Sequence, residues 1–196
     1  MVYICEDILG FDVEEALRVV TTERRAKALR YRFDVDRRQS LAAYMLLCYG
    51  LNEEYGIILP PRLSYDDRDK PYLTDYPDIH FNLSHCRYGV ACAIGREPIG
   101  VDIEVVADID WDVARRVMSD EQLEYIATSS EPERAFCKLW TTKESLLKRT
   151  GEGLCDDLPR LLLDNSSFAH YNGEKYICTA CYTDSEQHDK FCLVRL

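Results

Sequence analysis

The stretch "REPIGVDIEVVADID" (96–110) sets a carboxylate at every second position of an apolar run: Val101, Asp102, Ile103, Glu104, Val105. This alternation predicts a strand over 99–106, because side chains on a strand point to opposite faces in turn. Asp102 and Glu104 then stand side by side on one face. Two like charges that close repel one another unless something positive lies between them. Taken alone, the pattern is the polar face of a half-buried strand.

A second stretch, "AFCKLWTTKESLLKRTGEGL" (135–154), changes that reading. On a helix, Trp140, Glu144 and Lys148 fall at i, i+4 and i+8 and share one face. Together the two stretches offer three carboxylates and a lysine without a His or Cys ligand among them. Such an oxygen-only donor set suits a hard cation such as Mg²⁺, which also takes substrate phosphates as ligands.

Around these pieces, apolar periodicity predicts helices near 12–33, 36–55, 111–127 and 131–149. In the second of them Leu41, Tyr44, Met45, Cys48 and Tyr49 form a stripe, and Asp36 is the expected N-cap. Further strands are predicted at 88–95, 160–164, 175–183 and 190–196, and 59–78 reads as mostly loop. The order of helices, loop, strands, helices and strands predicts an α+β fold.

At 196 residues the chain forms one compact unit or two small halves with a shared core. The net charge of −11 speaks against nucleic acid as the main partner, since phosphate backbones need a basic footprint. No apolar run is long enough to span a membrane. The opening residues lack a basic segment before an apolar one, so a cytoplasmic protein is expected. The nine cysteines are then reduced thiols. Cys178, Cys181, His188 and Cys192 loosely suggest a zinc knuckle, but their intervals do not fit one, and a strand turns Cys178 and Cys181 to opposite faces. One segment, "RVVTTERRAKALRYRFDVDRRQS" (18–40), is basic, which fits either a solvated helix face or a site for a phosphorylated ligand.

The order of the short motifs adds a resemblance. Asp69-Lys70-Pro71, "FNLSH" (81–85), "GVDIE" (100–104), "WTTKESLLK" (140–148) and "GEGL" (151–154) follow one another at family-like intervals from about residue 20 to 155. In this the sequence resembles the 4′-phosphopantetheinyl transferases of the surfactin-synthetase-activating type. The resemblance implies two similar, pseudo-twofold halves, each with a small sheet packed against a long helix. Residues 1–98 would bind coenzyme A, and residues 99–196 would supply the metal acids and the carrier-protein docking surface.

It also implies the activity: transfer of 4′-phosphopantetheine from coenzyme A to a serine of an acyl or peptidyl carrier protein, with Mg²⁺ or Mn²⁺, releasing 3′,5′-ADP. Carried over by motif, Asp102, Glu104 and Glu144 are metal acids. Glu144 is the first choice of general base, Glu104 the second, and Lys148 stabilises charge on the leaving phosphate. Arg24, Lys27, Ser40 and His85 match positions around the 3′-phosphate of coenzyme A. Lys70 and Pro71 match the loop that lines the nucleotide, and Ser84 and Lys143 are placed in the same site. Carrier docking is expected near Arg115, Arg116 or Arg149, and a monomer is the expected state.

The sequence departs from the family pattern at three places: Asp69 stands where glycine is usual, Cys86-Arg87 where Ser-Gly is common, and Gln122 where many relatives carry an acid. The competing readings are another Mg²⁺-dependent phosphotransfer enzyme and a carrier-protein or nucleotide-binding module without catalysis.

Overall fold

The computed structural model describes residues 1–151, 153, 158–161, 167–183 and 190–196. It is a mixed α+β fold built in four layers, with two small sheets face to face and helices on both outer sides. The first sheet has the order β4 (His80–Cys86), β5 (Gly89–Gly95), β1 (Val2–Cys5), β9 (Phe191–Leu193). β1 runs antiparallel to β5 and parallel to β9. The second sheet is antiparallel, in the order β6 (Gly100–Val105), β8 (Tyr176–Tyr182), β7 (Ser167–Asn172). A short hairpin, β2 (Leu63–Tyr65) and β3 (Pro71–Leu73), stands apart within the predicted 59–78 loop.

Strand alternation separates the cores. On the first sheet Tyr3, Cys5, Val90, Cys92 and Ile94 face the long helix α3 (Asp34–Tyr55). Val2, Ile4, Ala91 and Ala93 meet Val101, Ile103, Cys178 and Ala180 of the second sheet. The small side chains here let the sheets approach. The outer face of the second sheet carries α6 (Pro132–Thr150), which shares a third apolar cluster with α4 (Trp111–Val117) and α5 (Asp120–Thr128). A small sheet packed on a long helix therefore occurs twice, although β9 joins the first sheet from the far end of the chain.

Gly100 explains how closely α6 is seated. A Cβ at that position would lie 1.9 Å from the Ser145 carbonyl oxygen and 2.6 Å from the Arg149 nitrogen. Only glycine allows the backbone of β6 to pass so near the helix. α3 and α6 both end at a left-handed glycine, Gly56 at φ 67° and Gly151 at φ 74°.

Two predicted helices are each broken into two. The helix expected over 12–33 becomes α1 (Val13–Val19) and α2 (Thr22–Leu29), because the Thr21 hydroxyl accepts the Arg24 N–H and starts a new helix. The one expected over 111–127 divides at Met118, where Ser119 and Gln122 form a reciprocal capping box. Asp36 lies inside the first turn of α3 and is not its N-cap; Phe33 holds that position without a side-chain bond. Of the strand expected at 160–164, residue 160 ends a 3₁₀ turn (Leu158–Arg160), residue 161 is irregular, and 162–164 lie outside the described residues. So do His188 and the second and fourth residues of "GEGL". The eight described cysteines are all free thiols. No helix among the described residues is long and apolar enough to cross a membrane.

Candidate active site

Among the described residues the outer edge of β6 has no strand paired to it, and two side chains of β4 take that place. Asn82 Oδ1 accepts the Val101 N–H at 2.9 Å, and Ser84 Oγ accepts the Ile103 N–H at 3.4 Å. Alternation on β4 puts both side chains toward this seam while Phe81 and Leu83 enter the first core. The same Ser84 hydroxyl donates to Asp102 Oδ1 at 3.0 Å. Motif residues from both sheets thus meet at one line.

Asp102 is 1% exposed. Lys148, reaching over from α6, sets its Nζ 2.6 Å from Asp102 Oδ1 and 3.0 Å from Ser84 Oγ. Asp102 Oδ2 is buried and, among the described residues, has no hydrogen-bond partner. Burial, followed by the neighbouring Asp102 charge, pushes the Glu104 carboxyl up to about 7, with Glu144 adding to the rise and Lys148 opposing it. Glu144 is raised by the same two causes, burial first. These carboxylates therefore share one field, although as the side chains stand no three acidic, His or Cys groups among the described residues close around a single point that would hold an ion.

His85 follows on β4 with an exposed side chain. Its ring is held below the usual imidazole range by partial desolvation first and then by Lys148, while Asp36 of α3 acts the other way. The buried Gln39 donates to the Cys86 carbonyl at 2.8 Å and ties α3 to this end of the strand. Farther along, Arg24 donates to the hydroxyl of Ser40 at 2.5 Å and to its carbonyl, and its guanidinium lies 5.2 Å from the centre of the Tyr44 ring. Lys27 donates to the Tyr65 hydroxyl at 2.8 Å. Arg24, Lys27, Arg30, Tyr44 and Tyr65 help line a cavity of about 160 Å³.

Comparison with known proteins gives the family. A family model described as "4'-phosphopantetheinyl transferase superfamily" matches residues 98–193. The chain is 30% identical over 156 residues to 4′-phosphopantetheinyl transferase Sfp of Bacillus subtilis (strain 168), covering 78% of this chain and 70% of that protein. The chain belongs to the 4′-phosphopantetheinyl transferase superfamily. It is also 34% identical over 145 residues to the transferase psf-1 of Bacillus pumilus, covering 72% of this chain but only 62% of the relative. The transferase HetI of a Nostoc strain is 27% identical over 152 residues, of which this chain covers 64%. Relative to psf-1 and HetI, then, this superfamily member spans less than two thirds of the length.

Against the superfamily motifs, the structure bonds Ser84, Asp102 and Lys148 to one another, sets Glu104 and Glu144 in the field of the same Asp102, and leaves His85 next to Ser84 on β4. Two lysines have other occupations. Lys143 is fully buried, donates to the carbonyls of Val117 at 2.8 Å and Leu158 at 2.7 Å, and is pushed down to about 8 by burial. It pins the end of α4 and the 3₁₀ turn to α6 and does not reach the acids. Lys70 donates to the carbonyls of Lys148 at 2.7 Å and Arg149 at 2.8 Å, so it caps the negative end of α6. With Pro71 it also lines a cavity of about 350 Å³. Ser40 acts through Arg24, which it holds in place.

Asn82 escaped the sequence reading. Its period-two relation to Ser84 within "FNLSH" was the available sign, but the strand edge that both serve is remote in sequence. Arg115, among the expected docking residues, is exposed on α4 and pairs with Asp112 at 2.6 Å.

Proposed function

We propose that this protein transfers 4′-phosphopantetheine from coenzyme A to a serine of an acyl or peptidyl carrier protein, with Mg²⁺ or Mn²⁺, and releases 3′,5′-ADP. The observation that carries the proposal is the buried, half-satisfied Asp102 carboxylate beside Glu104 and Glu144. A buried carboxylate oxygen without a donor is costly, and a dication removes that cost. The oxygen-only donor set fits Mg²⁺, and Asp102, Glu104 and Glu144 would hold it. When bound, the metal would neutralise pyrophosphate oxygens and make the attacked phosphorus more electrophilic.

The protein's own groups do the rest. The carrier serine oxygen attacks the phosphorus esterified to pantetheine, and the bond to the 3′,5′-ADP oxygen breaks. Glu144, half-buried on α6, accepts the serine proton; Glu104 is the second candidate. Lys148 supplies positive charge to the departing phosphate. Arg24, Lys27 and His85 receive the 3′-phosphate, and the Lys70-Pro71 loop borders the nucleotide.

The repeated unit of sheet and long helix supports two similar halves, 1–98 for coenzyme A and 99–196 for the acids and the carrier. The proposed state is a monomer. The eight described free thiols suit the reducing cytoplasm.

Replacing Glu144 with Gln separates an enzyme from a binding module. The variant should keep coenzyme A binding within a few-fold while transfer falls at least a hundredfold. Transfer at the wild-type rate would refute the assignment.

A further inference from the structure

Among the described residues, Asp102 meets two donors on Oδ1, Lys148 Nζ at 2.6 Å and Ser84 Oγ at 3.0 Å, and none on Oδ2. Its side chain is 2% exposed, whereas that of Lys148 is 30% exposed. Asp102 is therefore fixed, while Lys148 approaches from the open side on a long, flexible stem. Lys148 and Asp102 form a salt bridge. A buried carboxylate needs a counter-charge to stay ionised. The ammonium supplies it from the place where a dication held by Asp102 would have to arrive.

We propose that Lys148 is a two-position residue: it is the counter-ion of Asp102 in the ligand-free protein, and an arriving divalent cation displaces it toward the anionic oxygens of the substrate. The inference rests on the functional reading above, which gives Asp102 to the metal and Lys148 to the phosphate. No covalent bond changes; one cation replaces another on a fixed carboxylate. Ser84 is the pivot, since its hydroxyl touches both partners in the starting arrangement. Metal and pyrophosphate binding become coupled by more than direct coordination. The metal releases the lysine that the phosphate needs, and by linkage the phosphate, by engaging the lysine, favours the metal. In the absence of substrate the lysine competes with the metal and weakens its binding.

Calorimetric titration of Mg²⁺ alone, without coenzyme A, tests this. Lys148→Met should bind Mg²⁺ at least tenfold more tightly than wild type, although it transfers phosphopantetheine poorly. A purely structural role would not raise metal affinity. In chelator the variant should melt below wild type, and Mg²⁺ should raise its melting temperature by more. Lys148→Arg keeps the charge and should bind Mg²⁺ no more tightly than wild type. In the wild-type protein, where no substitution can disturb folding, the Lys148 Cε–Hε NMR signal should move when Mg²⁺ alone is added.

Equal or weaker Mg²⁺ affinity in Lys148→Met, or an unmoved Lys148 signal in metal-saturated wild type, overturns the inference. The functional reading then still stands if wild type binds Mg²⁺ and Asp102→Asn does not. No Mg²⁺ binding to wild type or to Lys148→Met overturns both.

Discussion

Asn82 Oδ1 accepts the backbone N–H of Val101 at 2.9 Å, so a side chain of one sheet completes the edge of the other. The contact lies one residue from Asp102 and keeps the acid-bearing strand beside Ser84 and His85. The FNLSH motif is in this respect a splice between two sheets as much as part of a binding surface.

Asn82→Ala should therefore destabilise the fold, because it strands a buried N–H. The expected cost is about 1–3 kcal/mol, read as a lower urea midpoint with an unchanged slope. A midpoint equal to wild type would mean that the seam does not depend on this bond.

Asp69 occupies the left-handed region at φ 61°, the conformation for which glycine is suited. Asp69→Gly should raise stability by about 0.5–1 kcal/mol, the strain relieved exceeding the entropy lost by glycine. A lower thermal midpoint in the variant would contradict this.

His170 is half-buried on β7, 3.0 Å from the Thr179 hydroxyl, and burial followed by Lys138 pushes it down to about 4. A histidine depressed in the folded state keeps its full contribution above pH 6.5. As pH falls from there through 4, the unfolded chain takes a proton that the folded one refuses, and that contribution disappears. The difference in unfolding free energy between wild type and His170→Asn should thus change by on the order of 2 kcal/mol between pH 7 and pH 4. A constant difference across this range would show that the ring titrates normally.

Much of the site is legible because it uses local periodicity. Asp102 and Glu104 alternate on a strand, Glu144 and Lys148 share a helix face, and both patterns hold in space. Lys143 sits one position before Glu144, about 100° around the helix, and that rotation takes it into the third core, a burial the spacing of the motif alone does not show. Lys70 gave no sign of its role, since the carbonyls it caps are those of Lys148 and Arg149, in the other half of the chain. The helix breaks were written locally in Thr21 and in Ser119 with Gln122, yet continuous amphipathic periodicity across them masked the caps. The pairing of β1 with β9 joins opposite ends of the chain, beyond the reach of any local pattern.

The most direct test of the central claim is the intact mass of an apo carrier protein incubated with this protein, coenzyme A and Mg²⁺. The site described here predicts a gain of one phosphopantetheine, lost when a chelator is added or when Asp102 is replaced by Asn. A carrier mass unchanged with every component present, for both acyl and peptidyl carriers, would contradict it.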